Sequence, residues 1–299
     1  MIDLLNKCPI CGSNKFSDFL QGKDYFLSGE NFNIQQCNTC GFRFTNPRPS
    51  QSCIGKYYDS EQYISHDSQK QNITTLAYRV ARYFAIRQKF SIIKKYSKGK
   101  NLLDIGCGTG ELLYYCSKNG YQVQGIEPNL KARKFASEKY DLKISEDLYS
   151  EFLEKNSFDC ITLWHVLEHV DQPIETLNQI SKLLTPGSTL IIAVPNSNSW
   201  DAIHYKNYWA AYDLPRHLSH FTYQTLKYFI EQNQYNLIKC LPQKLDAFYI
   251  SLLSEKYRTG RKNFHKAIFN GLKSNFFSRR TEYYHSSIIF ILTPKIPYF

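Results

Sequence analysis

The chain has 299 residues, of which 42% are hydrophobic and 21% charged, so it can form one large α/β domain with a small appendage and is not a disordered chain. Its 37 basic and 26 acidic residues leave a net charge of +11, which favours acidic partners such as phosphates, nucleotide-linked substrates or nucleic acid. No apolar run approaches the roughly 20 residues of a membrane helix, and no secretory signal is visible at the N-terminus. Nine cysteines, four of them in a metal-binding pattern, predict a reducing, cytoplasmic setting rather than a disulfide framework.

Two cysteine motifs of the form C-x2-C-G lie near the N-terminus. They are Cys8-Pro-Ile-Cys11-Gly and Cys37-Asn-Thr-Cys40-Gly. Each motif can present two thiolates on one side of a turn, and four thiolates suit a tetrahedral zinc ion. With four protein ligands the ion would be structural, and iron is an alternative that the ligands leave open. We therefore predict a zinc-ribbon module over residues 1–50 that depends on its metal to fold.

A basic amphipathic helix is predicted over residues 72–97, within a helical linker assigned to residues 51–100. Its apolar residues recur at helical spacing. The segment 71–100 has no acidic residue, and it carries these basic residues: Arg79, Arg82, Arg87, Lys89, Lys94, Lys95, Lys98 and Lys100. These side chains would form either a solvated helix face or a surface for phosphates.

Residues 102–129 are predicted to form a strand, a glycine turn, a helix and a second strand, which together make one βαβ unit. The first strand contains Asp104 and leads into Gly106-Cys107-Gly108-Thr109-Gly110, and the second strand ends at Glu127. Glycines let the backbone pass close to a ligand, and a carboxylate at a strand tip can bind both hydroxyls of a ribose. The spacing G-x-G-x-G differs from the G-x-G-x-x-G of dinucleotide sites. Asp104 would repel a pyrophosphate but suit a ligand that carries an ammonium and a sulfonium.

This segment resembles motif I of the class I S-adenosylmethionine-dependent methyltransferases, and Glu127 resembles their ribose-binding acid. The resemblance implies an α/β fold over residues 101–299 with a seven-stranded Rossmann-like sheet and helices on both faces. It also implies S-adenosylmethionine as cofactor and the 72–97 helix as a lid over its pocket. The cofactor-binding residues expected on this basis are Asp104, Gly106, Cys107, Gly108, Gly110, Glu127, Pro128, Asp147 and His165. Asp147 takes the place of the family's adenine-binding acid, although it could equally cap the helix that follows.

The run Trp164-His165-Val166-Leu167-Glu168-His169-Val170 follows a predicted strand over residues 158–163. It resembles motif IV of the same family, whose strand tip faces the transferable methyl group. His165, the first histidine after the strand, could contact the methionine part of the donor or the substrate. Glu168 and His169 could simply fix the helix that follows. A predicted helix over 176–184 and a strand over 189–194 continue the alternation.

An aromatic segment occupies residues 196–223. Its rings are Trp200, Tyr205, Tyr208, Trp209, Tyr212, Phe221 and Tyr223. Its stretch Asp213-Leu214-Pro215-Arg216-His217-Leu218-Ser219-His220-Phe221 resembles a signature of bacterial methyltransferases that also carry the cysteine module. So many rings in a loop predict a substrate pocket or lid, with His217 and His220 as candidate general bases and Tyr212 behind them. In the structural alternative, Asp213, Arg216 and the histidines only pin the loop.

The remaining elements are a helix over 224–234, a strand over 236–241, a basic helical insertion over 248–280 and a last strand over 287–292. The segment 256–280 again has no acidic residue, and its basic residues are Lys256, Arg258, Arg261, Lys262, Lys266, Lys273, Arg279 and Arg280.

Taken together, the motifs predict methyl transfer from S-adenosylmethionine to oxygen or carbon of a small acceptor, anionic or nucleotide-linked. A sugar, a glycan precursor or a secondary metabolite would qualify, because the cysteine module also resembles the N-terminal part of sugar C-methyltransferases. The chain has no N-P-P-Y or D-P-P-Y run, which many nucleobase and amide methyltransferases use. Two alternatives stay open: an RNA methyltransferase that uses the zinc module and the basic segments, and a non-catalytic cofactor-binding scaffold.

Overall fold

The structure is a computed structural model of the chain, and it describes residues 2–58, 73–151, 153–278 and 283–295, with only the backbone of 73–79. The side chains of Arg79, Arg279 and Arg280, which belong to the basic segments, lie outside the described residues. So does the part of the predicted linker over residues 59–72.

The strands of the described residues are numbered in chain order. They are β1 (Ile2–Asp3), β2 (Phe16–Lys23), β3 (Asn31–Cys37), β4 (Arg43–Thr45), β5 (Arg48–Pro49), β6 (Asn101–Ile105), β7 (Gln122–Ile126), β8 (Ile144–Ser145), β9 (Phe158–Trp164), β10 (Leu184–Pro195), β11 (Ser219–His220), β12 (Tyr235–Pro242) and β13 (Ser287–Pro294). Seven of them form a mixed sheet with the order β12-β13-β10-β9-β6-β7-β8. This confirms the predicted seven-stranded α/β fold.

The α-helices of the described residues are Ile73–Tyr96, Glu111–Lys118, Leu130–Tyr140, Pro173–Leu183, Trp200–Tyr205, Tyr223–Gln232, Asp246–Thr259 and Phe264–Phe277. The first matches the helix predicted over 72–97. The predicted insertion over 248–280 is two helices, because Gly260 ends the first one in a left-handed conformation with φ of 75°. The strand β8 is only two residues long, and beyond it Asp147 accepts a hydrogen bond from the Tyr149 amide and turns the chain. No helix in the described part of the chain is long and apolar enough to cross a membrane.

The chain divides into two compact units. The first unit comprises Met1–Asp59, His165–Glu175 and Ala193–Phe290, and the second comprises Ser60–Trp164, Thr176–Ile192 and Ile291–Phe299. The domain boundaries expected at residues 50 and 100 stay predictions.

In the first unit, a four-stranded sheet has the order β11-β4-β3-β2, and β1 pairs with β5. The short strand β11 comes from the aromatic segment and pairs antiparallel with β4, so that Ser219 lies opposite Phe44. Segments far apart in sequence therefore share one sheet in this unit.

Most rings of the aromatic segment pack inside the first unit. Tyr205, Trp209, Tyr212 and Phe221 are all buried, and the first three join a core cluster with Ile34 and neighbouring side chains. The segment is also partly helical, with the helix Trp200–Tyr205 and 3-10 turns at Lys206–Tyr208 and Ala210–Tyr212. These four rings supply core packing, and Trp209 and Tyr212 also line a small space of about 10 Å³. The expectation of a substrate pocket or lid stays a prediction.

In the second unit, β6 lies between β7 and β9 and is parallel to both. Ile105 is level with Ile126 on one side and with Leu163 on the other. The carboxyl ends of the three strands therefore meet at one edge of the sheet. The glycines follow β6, Glu127 follows β7, and Trp164 is the last residue of β9.

Candidate functional site

A cavity of about 620 Å³ lies in the second unit at the carboxyl ends of β6, β7 and β9. Its volume is typical of a small-molecule site, for which roughly 300–1,000 Å³ is usual. It is lined by Arg82, Ala85, Ile86, Lys89, Asp104, Gly106, Cys107, Gly108, Thr109, Glu111, Leu112, Glu127, Asn129, Lys131, Ala132, Phe135, Lys139 and Trp164. Five of the expected cofactor residues thus meet here: Asp104, Gly106, Cys107, Gly108 and Glu127.

The Glu127 carboxylate is held in place by backbone amides. Gly108 N donates to its Oε2 at 2.8 Å, and Asn129 N donates to its Oε1 at 2.9 Å. Each carboxylate oxygen can accept further hydrogen bonds, so Glu127 is oriented and still able to bind ligand hydroxyls. The side chain of Arg133 reinforces this turn by donating to the Glu127 carbonyl at 2.6 Å.

Gly108 has a φ of 56°, and a Cβ at this position would meet no atom within 4 Å. The glycine therefore leaves open space where the loop lines the cavity. At Gly110 the reason for a glycine is different, because a Cβ there would lie 2.8 Å from Leu142 Cδ1 and 2.9 Å from Ala136 Cβ. Gly110 thus lets the glycine loop pack against the helix Leu130–Tyr140.

Asp104 is a buried carboxyl at the floor of the cavity, 4% exposed. Thr162 Oγ1 donates to its Oδ1 at 2.5 Å. Burial raises the pKa of Asp104 to about 6, against the lowering effect of the Thr162 hydrogen bond and the Lys89 charge. The group is therefore mostly ionised at neutral pH, but the charge is costly unless a cation compensates it.

Two basic side chains of the Ile73–Tyr96 helix, Arg82 and Lys89, also line the cavity. They were not among the cofactor residues expected from the sequence. Arg82 forms an ion pair with Glu111 and donates to Thr109 Oγ1 at 3.2 Å. Lys89 Nζ lies 5.0 Å from the ring centroid of Trp164. Their spacing of seven residues, two helical turns, was the signal in the sequence, because it places both on one face of the helix.

The other expected cofactor residues, Gly110, Pro128, Asp147 and His165, are not among the residues that line this cavity. Asp147 is exposed and accepts a hydrogen bond from the Tyr149 amide at 2.8 Å. Its assignment to the adenine, like the other three assignments, stays a prediction.

The four motif cysteines come together in the first unit. One sulfur from each residue lies within 4.8 Å of the others, with Cys8 and Cys40 at 3.7 Å and Cys11 and Cys37 at 3.5 Å. A tetrahedral zinc ion with Zn–S bonds of ~2.3 Å would place its sulfurs ~3.8 Å apart, so the donor set fits zinc. The hydrogen bond from Cys40 lowers the pKa of Cys8 to about 5 and raises that of Cys40. Cys53 is outside this group.

His165 lies in the first unit with a φ of 59°, and its ring contacts two carboxylates. Its Nε2 is 2.9 Å from Asp246 Oδ2, and its Nδ1 is 3.4 Å from Glu168 Oε1. Burial alone would lower the pKa of His165, but Asp246 and Glu168 outweigh it and raise the pKa to about 10. A histidine that is protonated at neutral pH cannot serve as a general base.

His217 and His220 have different hydrogen-bond partners. Thr45 Oγ1 donates to the His217 carbonyl at 2.8 Å, so its only proton is used. The His220 Nε2, 3.0 Å from the same oxygen, must then be the donor. Burial lowers the pKa of His220 well below its usual value. In His217, Nδ1 lies 2.9 Å from the Ala211 carbonyl and must donate to it, and Nε2 lies 4.0 Å from Asp213 Oδ2.

Tyr212 is a buried ring whose pKa is raised to about 12 by burial. It packs edge-on against Trp209 and His220, with centroids 4.9 and 5.5 Å apart. A phenol in this environment stays protonated at neutral pH.

Arg216 pins the loop that carries the two histidines. It is 2% exposed, and it donates to both Asp213 oxygens at 2.7 and 3.0 Å and to Asp24 Oδ1 at 3.1 Å. The pKa of Asp213 is lowered against the effect of burial, mainly by the hydrogen bond from Arg216. The structural alternative for this segment therefore holds for Asp213 and Arg216.

The family model for a methyltransferase domain matches residues 75–239, more than half of the chain. The chain belongs to this methyltransferase family. Within the family match lie the glycine loop, Glu127 and the motif IV segment, whereas the cysteine motifs precede it.

Curated relatives of this methyltransferase-family chain include two ubiquinone biosynthesis O-methyltransferases. The protein of Coxiella burnetii is 34% identical over 107 residues, which are 34% of this chain and 46% of that protein. The protein of Psychrobacter cryohalolentis is 33% identical over 109 residues, 33% of this chain and 42% of that protein. The chain spans less than half the length of these curated relatives.

Solved structures share the fold at low sequence identity. The [4+2]-cyclase SpnF has a TM-score of 0.54 at 15% identity, covering 84% of this chain and 98% of that one. Phosphoethanolamine N-methyltransferase 2 of Haemonchus contortus has a TM-score of 0.53 at 16% identity, covering 94% of this chain and 68% of that one. A S-adenosylmethionine-dependent methyltransferase from Archaeoglobus fulgidus has a TM-score of 0.50 at 21% identity, covering 74% and 99%. These likenesses concern the fold alone, and they include a cyclase beside methyltransferases.

Proposed function

We propose that this chain transfers a methyl group from S-adenosylmethionine to a hydroxyl oxygen of a small-molecule acceptor. The observation that carries the proposal is the Glu127 carboxylate, which Gly108 N and Asn129 N hold at the edge of a 620 Å³ cavity. Membership of the methyltransferase family supports the same reading.

The cavity has the charges that such a donor requires. Glu127 would accept hydrogen bonds from the two ribose hydroxyls. Asp104 would compensate the positive charge of the donor, which in turn would offset the cost of its buried carboxylate. Lys89 and Arg82 would bind the carboxylate of the methionine part. When bound, the donor supplies a methyl group on a sulfonium, a leaving group that needs no activation by the protein.

The acceptor hydroxyl must lose its proton as the new bond forms. Among the predicted catalytic residues, His165 and Tyr212 stay protonated at neutral pH. Burial lowers the pKa of His220 well below its usual value, which makes it a weak base. We therefore keep His217, whose Nδ1 lies 2.9 Å from the Ala211 carbonyl, as the candidate that accepts the proton.

The small-molecule O-acceptor is inferred from the two relatives named ubiquinone biosynthesis O-methyltransferase, which align over about a third of this chain. An anionic or nucleotide-linked acceptor, a sugar or a glycan precursor belongs to the same proposal, which the net charge of +11 supports.

For the four cysteines we propose a structural zinc ion. The sulfur separations match a tetrahedral thiolate site, and a site with four protein ligands has no open position for chemistry.

Isothermal titration calorimetry with S-adenosylmethionine and its demethylated product tests the donor site. Glu127→Gln should weaken donor binding by about 10- to 150-fold, equivalent to roughly 1.5–3 kcal/mol for hydrogen bonds to a charged group. Glu138→Gln is the matched control, because Glu138 is exposed and does not line the cavity. Tight binding of a nicotinamide dinucleotide without binding of S-adenosylmethionine would refute the proposal.

The acceptor is tested with donor carrying a labelled methyl group. Label that appears in small metabolites of a cell extract supports the proposal, whereas label in RNA would favour the RNA methyltransferase. Donor binding without any labelled product from extract or RNA would favour the scaffold.

A further inference from the structure

A second group of metal-ligand residues lies in the first unit, apart from the four cysteines. It consists of Glu168, His169 and His217, and one ligand atom from each lies within 4.8 Å of the others. Glu168 and His169 are on the 3-10 turn Leu167–His169, and His217 precedes β11. The turn and the loop are joined by a hydrogen bond from Leu218 N to the Glu168 carbonyl at 2.8 Å. The backbone therefore holds the three side chains together.

Glu168 is the unusual member of this group, because its side chain is 1% exposed and carries a charge. Among the described residues, neither of its carboxylate oxygens has a hydrogen-bond partner. The imidazole of His165 approaches Oε1 at 3.4 Å as an ion pair but without hydrogen-bond geometry. Buried carboxylates are normally paired, hydrogen-bonded or bound to a metal ion. In the part of the chain that the structure describes, Oε2 of Glu168 has neither a hydrogen bond nor an ion pair, which indicates a missing partner.

Both histidines have hydrogen-bond partners that allow the ring arrangement of a metal ligand. His217 Nδ1 lies 2.9 Å from the Ala211 carbonyl, and His169 Nδ1 lies 3.1 Å from the Arg216 carbonyl and 2.9 Å from the Tyr58 hydroxyl. A carbonyl can only accept, so in the neutral tautomer in which each Nδ1 donates to its carbonyl, each Nε2 can bind a metal ion. Metal-bound histidines usually donate their other ring N–H to a carbonyl or carboxylate in this way.

We propose that Glu168, His169 and His217 bind a divalent transition metal ion. Two imidazoles and one carboxylate suit zinc or iron(II), and three protein ligands leave positions open for water or a ligand. Donor atoms around zinc are ~3.3 Å apart, so ligand atoms that lie within 4.8 Å of one another must close by up to about 1.5 Å on binding. This site rests on its own contacts and not on the proposed methyl transfer. It would also change one role given above, because a metal-bound His217 Nε2 could no longer act as a base.

The experiment counts Zn²⁺ ions on the full chain by native mass spectrometry after equilibration with excess Zn²⁺ and removal of free metal. The wild-type chain should hold two ions, one on the cysteines and one on this site. Glu168→Gln and His217→Ala should each hold one ion, with the affinity of the second lowered more than about 100-fold, since losing outer partners alone costs up to that much. Glu154→Gln and His265→Ala, which change exposed residues, should keep both ions.

Substitution of Co²⁺ assigns each ion to its site. Cobalt bound by thiolates has an intense sulfur-to-metal charge-transfer absorption, which nitrogen and oxygen ligands do not produce. Glu168→Gln should keep this absorption, and its persistence shows that the variant has folded. A wild-type chain with one ion, or a Glu168→Gln variant that binds two ions like the wild type, would overturn the proposal. In that case Glu168 only balances the charge of His165. Neither result depends on methyl transfer, so the two proposals can fail separately.

Discussion

Alanine substitutions at three glycines with positive φ can distinguish two effects. One is backbone strain, which lowers the free energy of unfolding, and the other is filling of the cavity, which weakens donor binding. Gly108, Gly110 and Gly120 have φ values of 56°, 77° and 81°. Alanine in this left-handed region costs roughly 1–2 kcal/mol. A Cβ at Gly108 or Gly120 would meet nothing within 4 Å, and Gly108 lines the cavity whereas Gly120 does not.

Gly108→Ala and Gly120→Ala should therefore lower the free energy of unfolding of the ligand-free protein by the same amount, about 1–2 kcal/mol. Gly110→Ala should cost more, about 2–5 kcal/mol, because its Cβ would also lie within 2.9 Å of Leu142 and Ala136 atoms and overpack them. Urea unfolding without ligand measures all three values.

Donor binding should separate the first two variants. In Gly108→Ala the methyl group enters the cavity, where an extra contact costs about 1–3 kcal/mol, so the affinity for S-adenosylmethionine should fall roughly 5- to 150-fold. Gly120→Ala should bind like the wild type when both are measured by calorimetry. Wild-type affinity in Gly108→Ala would refute the assignment of this cavity to the donor, whatever its stability.

The remaining predictions concern charge and metal. Burial raises the pKa of Asp104 to about 6, so the folded protein binds the proton of this carboxyl more tightly than the unfolded chain does. The free energy of unfolding should therefore fall by up to about 3 kcal/mol as the pH rises from 4 to above 6. Asp104→Asn should abolish this pH dependence in urea titrations and weaken binding of the cationic donor. Cys37→Ser should lose one zinc ion by elemental analysis and melt ~10 °C or more lower, while Cys53→Ser should match the wild type. Lys89→Met should weaken donor binding, measured by calorimetry, about 3- to 10-fold. Lys94→Met, at an exposed position of the same helix, should bind the donor like the wild type. Equal effects of the two substitutions would contradict the role of Lys89.

Local patterns predicted much of what lies close in sequence. The glycine loop and Glu127 are joined by a single βα crossover, so the order of residues already implied that they would meet at one edge of a parallel sheet. The two C-x2-C-G motifs likewise predicted a four-sulfur cluster, since each turn brings its two cysteine sulfurs together. The sequence predicted that Lys89 lies on a basic helix. It did not predict that the Lys89 side chain lines the cavity.

The aromatic segment shows where such reasoning is incomplete. Rings in a predicted loop suggested a pocket, yet Tyr205, Trp209 and Tyr212 fill a core together with Ile34 of the N-terminal segment. Whether a ring is buried depends on which distant segment packs against it. The composition of the ring's own segment does not predict that packing.

The sequence by itself determined the sheet, the glycine loop, the acid at the end of the second strand and the cysteine set, because each depends on residues whose spacing fixes their geometry. Only the tertiary structure decided the partners of the histidines. His165 is a charged partner of Asp246, His220 donates to the Thr45 hydroxyl, and His217 donates to the Ala211 carbonyl. The protonation of an imidazole is set by the carboxylates, carbonyls and hydroxyls that the fold brings against it, and in this chain Asp246 and Thr45 come from residues far away in sequence.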